Sequence, residues 1–218
     1  MSKKNKEQKK IYLTNEQIGQ NSDILIIKLL IVGDAGVGKS NFIYRYTKDK
    51  FSTSNLSSSG FESNSKEINI SDQKIIVQLW DSAGQEKYKS ITKNLFTRVQ
   101  GIIIVYDITN KNSFSNVKNW IKLINETDNT IPYALAGNKC DLNNQREVEE
   151  EEAIKFSHEN NIDFLETSAK QDINIMECIN NFVNKIVNSE KFIRNISFTL
   201  QNTSMGSKKT INKSEKCC

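Results

Sequence analysis

The chain has 218 residues, with 30 Lys or Arg against 26 Asp or Glu and a net charge of +4. That length suits one globular domain with tails, and so mild a surplus argues against a protein that binds nucleic acid through its charge. The four cysteines, Cys140, Cys178, Cys217 and Cys218, form neither a disulfide framework nor a metal-ligand spacing, and the longest apolar run, Ile24 to Val32 with Lys28 inside it, is too short to cross a bilayer.

Residues 1–23 are rich in Lys, Asn and Gln, with five lysines before Ile11, and read as a disordered basic arm. They lack the apolar stretch and cleavage site of a signal peptide, and Ser2 stands where N-myristoylation needs glycine. A folded domain is expected over 24–189. Ile26 to Val32 reads as a buried strand and Gly38 to Tyr46 as a helix. Residues 52–65 are Ser- and Asn-rich without periodicity, and read as a long loop. Lys66 to Ile70 and Ile75 to Leu79 read as strands joined by a hairpin turn at Ser71-Asp72-Gln73. Ile102 to Tyr106 is unbroken apolar sequence, as in a strand covered on both faces. Asn112 to Glu126 reads as a helix with Phe114, Val117, Ile121 and Ile124 on one face. Then come a strand at Tyr133 to Ala136, a helix at Val148 to Asn160 and a short strand at Asp163 to Glu166. The helix Ile173 to Val187 follows, with Ile175, Ile179, Phe182, Val183 and Ile186 inward. Residues 190–218 carry six basic residues against Glu190 and Glu215, and read as a flexible basic tail ending in Cys217-Cys218. His158 is expected on a polar helix face, Cys178 in packing, and Cys140 is assigned no role.

Strands alternating with helices imply an α/β fold, a mostly parallel sheet with helices on both faces. Ligands of such sheets bind beyond the carboxyl ends of the strands, and the motifs fall there. Gly33-Asp34-Ala35-Gly36-Val37-Gly38-Lys39-Ser40 follows a strand and opens a helix, the phosphate-loop pattern. Its glycines let backbone N–H groups curl around phosphate oxygens, and the helix N-terminus adds partial positive charge. Lys39 can reach the terminal phosphates, and Ser40 can offer a hydroxyl to Mg²⁺. Asp81, at the end of the next strand in Asp81-Ser82-Ala83-Gly84-Gln85, can hold the metal through water. Gly84 can offer its N–H to a γ-phosphate, and Gln85 can orient an attacking water. Asn138-Lys139-Cys140-Asp141 follows another strand. The Asp141 carboxylate can accept from a ring N–H and an exocyclic amine, a pair that guanine presents and adenine does not, so discrimination is on the order of several kcal/mol. Asn138 can bridge base and phosphate loop, the Lys139 stem can lie on the ring, and Thr167-Ser168-Ala169-Lys170 can supply N–H groups to the guanine oxygen.

With these motifs in this order, the sequence resembles a Ras-superfamily small GTPase across roughly residues 25–188. The resemblance implies a single phosphate-loop GTPase domain with a six-stranded sheet, GTP/GDP binding with Mg²⁺, and GTP hydrolysis. It places Gly33 to Asn41, Phe51, Ser58, Asp81, Gly84, Asn138, Lys139, Asp141, Ser168, Ala169 and Lys170 at the nucleotide, with Ser40, Ser58 and Asp81 at the metal and Gln85 as the catalytic residue. Phe51 falls where relatives set an aromatic against guanine. Val77-Gln78-Leu79-Trp80, Lys87-Tyr88-Lys89-Ser90-Ile91-Thr92 and Val105-Tyr106-Asp107-Ile108-Thr109 are similar to Rab stretches, and Cys217-Cys218 resembles the doubly geranylgeranylated Rab ending. The Rab likeness implies regulation of vesicle traffic from the cytosolic face of an intracellular membrane, cycling with the cytosol. It implies a monomer partnered by an exchange factor, a GTPase-activating protein, effectors, and prenylation and GDP-dissociation-inhibitor (GDI) chaperones, with no nucleic acid.

The first switch departs from that pattern. Ser58 replaces the family's Thr, and Ser63 and Leu95 replace two of three effector-platform aromatics, with Trp80 retained. A non-cycling scaffold that holds GTP, or another Ras-like signalling GTPase, would use the same residues. A nucleotide kinase needs an Arg-rich lid that this sequence does not offer.

Overall fold

Nine residues, Ile24–Val32, form the first strand, β1, and alternate residues supply both layers of the core. Leu25, Ile27, Leu29 and Ile31 enter one layer, while Leu30 and Val32 enter the other. The computed structural model describes residues 24–53, 63–70, 73–82, 95–190 and 192. After β1 come α1 (Lys39–Lys48), β2 (Ser63–Ile70), β3 (Gln73–Asp81) and β4 (Gly101–Asp107). They are followed by α2 (Lys111–Ser115), α3 (Val117–Asp128), β5 (Tyr133–Asn138), a 3-10 turn at Cys140–Gln145, α4 (Glu150–Asn160), β6 (Asp163–Glu166) and α5 (Ile175–Val187).

The six strands lie in the order β2-β3-β1-β4-β5-β6. All neighbours pair parallel except β2 with β3. This is the expected α/β architecture. The chain goes from β1 outward to β3 and then returns to β4 on β1's other side, so the topology switches beside β1, where ligands of open α/β sheets collect. α1 and α5 cover one face through Phe42, Ile43, Tyr46, Ile179, Phe182 and Val183. α2, α3 and α4 cover the other through Phe114, Val117, Ile121, Ile124 and Ala153.

Several boundaries moved for identifiable reasons. β2 begins at Ser63, inside the stretch expected to be loop, because Ser63, Asn64 and Ser65 pair with Trp80, Leu79 and Gln78. The polar start of this edge strand, Ser63 to Ser65, carries no hydrophobic period to read, whereas Ile68 and Ile70 pack against the core. The helix expected from Val148 starts two residues later, because the N–H groups of Glu147 and Val148 both donate to the Ile108 carbonyl. The helix expected from Ile173 starts at Ile175, because Ile173 exchanges two backbone hydrogen bonds with Ser168. The helix expected over 112–126 is two segments meeting at Asn116, whose N–H is shared between the Asn112 and Phe114 carbonyls. Phe192 packs into the α1–α5 layer beyond the expected domain end. Cys178 is buried there too, and burial pushes its thiol up to about 12, whereas His158 is exposed on α4. Among the described residues no helix is long and apolar enough to cross a membrane. The turn residues Ser71 and Asp72, the N-terminal arm and nearly all of the basic tail lie outside the described residues.

Candidate nucleotide site at the sheet edge

Two glycines shape the loop after β1. Gly33 has φ +143°, and a Cβ on it would sit 2.1 Å from the Val105 carbonyl oxygen of β4. Gly38 has φ +100°, and its Cβ would sit 2.5 Å from Asn138 Nδ2. Only glycine tolerates both the left-handed backbone and the close approach. The loop is therefore pressed against the ends of β4 and β5. α1 then starts, with Phe42 N–H donating to the Gly38 carbonyl at 2.8 Å. Lys39, 4% exposed, folds back into the loop, where Nζ donates to the carbonyls of Gly33 at 2.9 Å and Asp34 at 2.8 Å. A buried ammonium needs such partners, and these two aim its charge along the concave side of the loop.

Parallel pairing sets Ile31 of β1 opposite Asp81 of β3, so the carboxylate ends beside the phosphate loop. Ser40 Oγ donates to Asp81 Oδ2 at 2.6 Å, and Ser82 Oγ ties the strand end to the Ile31 carbonyl at 2.7 Å. A hydroxyl that donates its proton retains its lone pairs. Ser40 and Asp81 thus bring together two oxygen donors from separate elements, the hard ligand type that Mg²⁺ takes. Among the described residues there is no cluster of three or more His, Cys, Asp or Glu of the kind a softer metal favours.

The ends of β5 and β6 are cross-linked to this loop. Asn138, 2% exposed, donates from Nδ2 to the Val37 carbonyl at 2.8 Å and accepts at Oδ1 from Ala169 N–H at 3.3 Å. Lys139 takes a left-handed backbone, φ 68°. Its Nζ donates to the Gly36 carbonyl at 2.8 Å and pairs with Asp107 at 2.6 Å, so its stem spans from β5 to the phosphate loop. Asp141 Oδ1 accepts from Ser168 Oγ at 2.6 Å, and Ser168 Oγ accepts in turn from Gln171 N–H at 3.0 Å. A carboxylate has about four acceptor positions, so the Ser168 bond leaves capacity for two further donors. Arg45 of α1 holds the same loop from behind. Its Nε donates to the Ala169 carbonyl at 2.9 Å and Nη2 to the Lys170 carbonyl at 3.2 Å. Arg146 grips Glu166 through both carboxylate oxygens and pins the 3-10 turn to the end of β6; that pairing raises the Arg146 pKa. Burial and the nearby Glu166 and Asp141 carboxylates hold the Cys140 thiol above its ordinary range.

Thus Gly33, Gly36, Val37, Gly38, Lys39, Ser40, Asp81, Asn138, Lys139, Asp141, Ser168 and Ala169 converge on one edge. The remaining expected positions make further contacts or lie outside the described residues. Asn41 exchanges two bonds with the Ser52 backbone, each 3.0 Å. Phe51 packs against the α1–α5 core layer. The Asp34 carboxylate accepts from Asn116 and Trp120 of the α3 region. Ala35 and Lys170 are exposed. Ser58, Gly84, Gln85, Cys217 and Cys218 lie outside the described residues. Of the effector-platform positions, Ser63 lies opposite Trp80 and Leu95 is buried. The Trp80 indole N–H is buried without a partner among the described residues.

Arg45, Asp107, Asn116 and Trp120 were not legible as site residues. Asp107 carried a usable signal, since it ends a buried strand next to a base-reading strand just as Asp81 ends β3. Arg45 carried none, because its partners are carbonyls far away in sequence. A groove of about 830 Å³ along β6, lined by Ile154, His158, Phe164 and Cys178 among others, shares no residue with this edge.

Comparison with known proteins matches residues 28–188 to the Ras family model. The chain is similar to Ras-related protein Rab-13 of Canis lupus familiaris, 40% identical over 163 residues, which is 74% of this chain and 80% of that protein. It is also similar to Ras-related protein Rab-8B of Homo sapiens, 42% identical over 153 residues, 70% of this chain and 74% of that protein. Ras-related protein Rab-8 of Diplobatis ommata is 42% identical over 153 residues, 70% of this chain and 73% of that protein.

Proposed function

Since the chain belongs to the Ras family and is a Rab-like GTPase within it, we propose that the sheet edge binds GTP and GDP with Mg²⁺ and works as a slow hydrolytic switch. One observation carries this reading. Asn138 ties the phosphate loop to the loop after β6 through Val37 and Ala169, so phosphate-holding and base-reading groups form one continuous surface.

In this reading the loop from Gly33 to Gly38 presents N–H groups to the phosphates, and Lys39 sets its ammonium against the terminal ones. Ser40 and Asp81 hold Mg²⁺, which when bound offsets charge on the phosphates. Asp141 accepts from the guanine edge, the Lys139 stem lies along the base, and Ser168 and Ala169 shape the pocket around the guanine oxygen. Ser58 and Gly84 hold the γ-phosphate, and Gln85 orients the water. Hydrolysis releases the two switch loops that those residues belong to. Intrinsic turnover is slow, and an external activator raises it about 10³- to 10⁵-fold. Cys217 and Cys218 carry lipid chains, two of which hold a protein stably on a membrane where one does so marginally. The basic tail adds attraction to anionic lipid. The protein acts in vesicle traffic on the cytosolic face of an intracellular membrane, with exchange, activating, effector and chaperone partners.

Calorimetry with Mg²⁺ tests the core of this reading: GTP binds at least on the order of a hundredfold more tightly than ATP. Equal affinity ends it. Single-turnover hydrolysis tests the catalytic residue, and Gln85→Leu is expected to slow the step. A rate equal to wild type removes Gln85 from that role. Mass spectrometry of the native C-terminus reads the lipid on Cys217 and Cys218 directly.

A further inference from the structure

The phosphate loop carries an acidic side chain, Asp34, where a polyanion is to be held. Its carbonyl oxygen accepts from Lys39 Nζ at 2.8 Å, so the residue sits at the part of the loop that the ammonium serves. A carboxylate swung toward the ligand there repels it, and the repulsion grows with ligand charge. A triphosphate suffers more than a diphosphate.

The carboxylate is held by two neutral donors from one helix face. Asn116 Nδ2 donates to Asp34 Oδ2 at 2.6 Å, and Trp120 Nε1 donates to Oδ1 at 3.1 Å. The two residues are four apart and therefore adjacent on the helix surface. Asn116 Oδ1 accepts from Asn119 Nδ2 at 3.1 Å, which leaves the amide's donor side facing Asp34. The Trp120 ring packs against the α2–α4 core layer, so its N–H is fixed in direction.

We propose that Asn116 and Trp120 are positioning residues for nucleotide selection: they turn the Asp34 carboxylate away from the polyphosphate and set how tightly GTP is held relative to GDP. This rests on the guanine-nucleotide reading above. The test is release of fluorescent GDP and of a fluorescent non-hydrolysable GTP analogue from the full chain with Mg²⁺. Wild type is compared with Asn116→Ala/Trp120→Phe, and with the same double variant carrying Asp34→Ala. Phenylalanine keeps most of the ring and removes the N–H. The double variant is expected to release the GTP analogue about tenfold faster and GDP less than about threefold faster. Adding Asp34→Ala returns the ratio of the two rates to within about twofold of wild type. Residues with a merely structural role speed both releases alike, and removing the carboxylate does not correct them. An unchanged ratio in the double variant, or a changed ratio that Asp34→Ala leaves in place, overturns the proposal. If the double variant lacks a cooperative thermal transition, Trp120→Phe alone decides, with a ratio shift of about threefold expected and none overturning it. Wild type that binds neither nucleotide refutes the guanine-nucleotide reading and this inference with it. Wild type that binds both with an insensitive ratio refutes this inference alone.

Discussion

The corner proposed to read the base and the corner proposed to hold the metal share one sheet edge but are built differently. At the base corner, side chains from β5, its following turn and α1 bond to the phosphate loop, to the end of β4 and to the loop after β6. Asn138 reaches Val37 and Ala169, Lys139 reaches Gly36 and Asp107, and Arg45 reaches Ala169 and Lys170. At the metal corner Ser40 bonds the Asp81 side chain, and Ser82 ties the strand end to the Ile31 carbonyl. Bonds from side chain to buried backbone are structural as well as functional, because cutting one leaves a buried polar group unsatisfied. The difference teaches that the same kind of substitution should unfold one corner and merely disarm the other.

The sharpest break is at Asp141. Asp141→Asn keeps an acceptor for Ser168 and removes the charge proposed to read guanine, so preference for GTP over ATP is expected to fall by about 3 kcal/mol or more in competitive calorimetry. A preserved preference would move base reading elsewhere. Next is Asn138→Ala, which strands the Val37 carbonyl and the Ala169 N–H. Urea unfolding at fixed GDP concentration should show a loss of about 2–3 kcal/mol, together with faster release of nucleotide. A stability matching wild type would dissolve the contrast between the corners. Ser40→Ala provides the other side of that contrast. We expect a stability change of about 1 kcal/mol and release of GTP that no longer responds to Mg²⁺ titration.

The smallest effect lies in the α5 layer behind the base corner. Cys178 keeps its proton in the folded state, with a pKa near 12, while the unfolded thiol ionises near its ordinary value. The folded state therefore binds more protons in alkali. The stabilising contribution is whole below the unfolded pKa and is lost as pH rises toward the folded one. Between pH 8 and 9 the wild type should lose about 0.5 kcal/mol more than Cys178→Ala, read as the difference in slope of stability against pH. Parallel slopes would place Cys178 in contact with solvent.

Much of this was legible before any coordinates. β4 is apolar at all but its ends, and α5 repeats its apolar residues at helical spacing; each needs burial of a predictable face, and each buries it, although α5 starts two residues later than expected. The phosphate loop was legible because its glycines and lysine stand at fixed offsets between a strand and a helix. β2 was half legible, since an exposed edge strand with Ser and Asn at its start has no apolar alternation to betray it. Phe51 was read by resemblance alone, and its packing on the α1–α5 layer was not legible, because an aromatic beside a polar loop has no periodic pattern around it.

By itself the sequence determined the order of strands and helices, the family, and which residues stand where phosphate, metal and guanine are proposed to bind. Periodicity and short motifs depend on neighbours in the chain, and such information is local. Only the tertiary structure decided that Arg45 holds the loop after β6, that Lys139 pairs with Asp107, and that α3 occupies the Asp34 carboxylate. Those contacts join residues from 32 to 125 positions apart. Their distances follow from how β1, β4 and β5 lie side by side, and no local pattern encodes that.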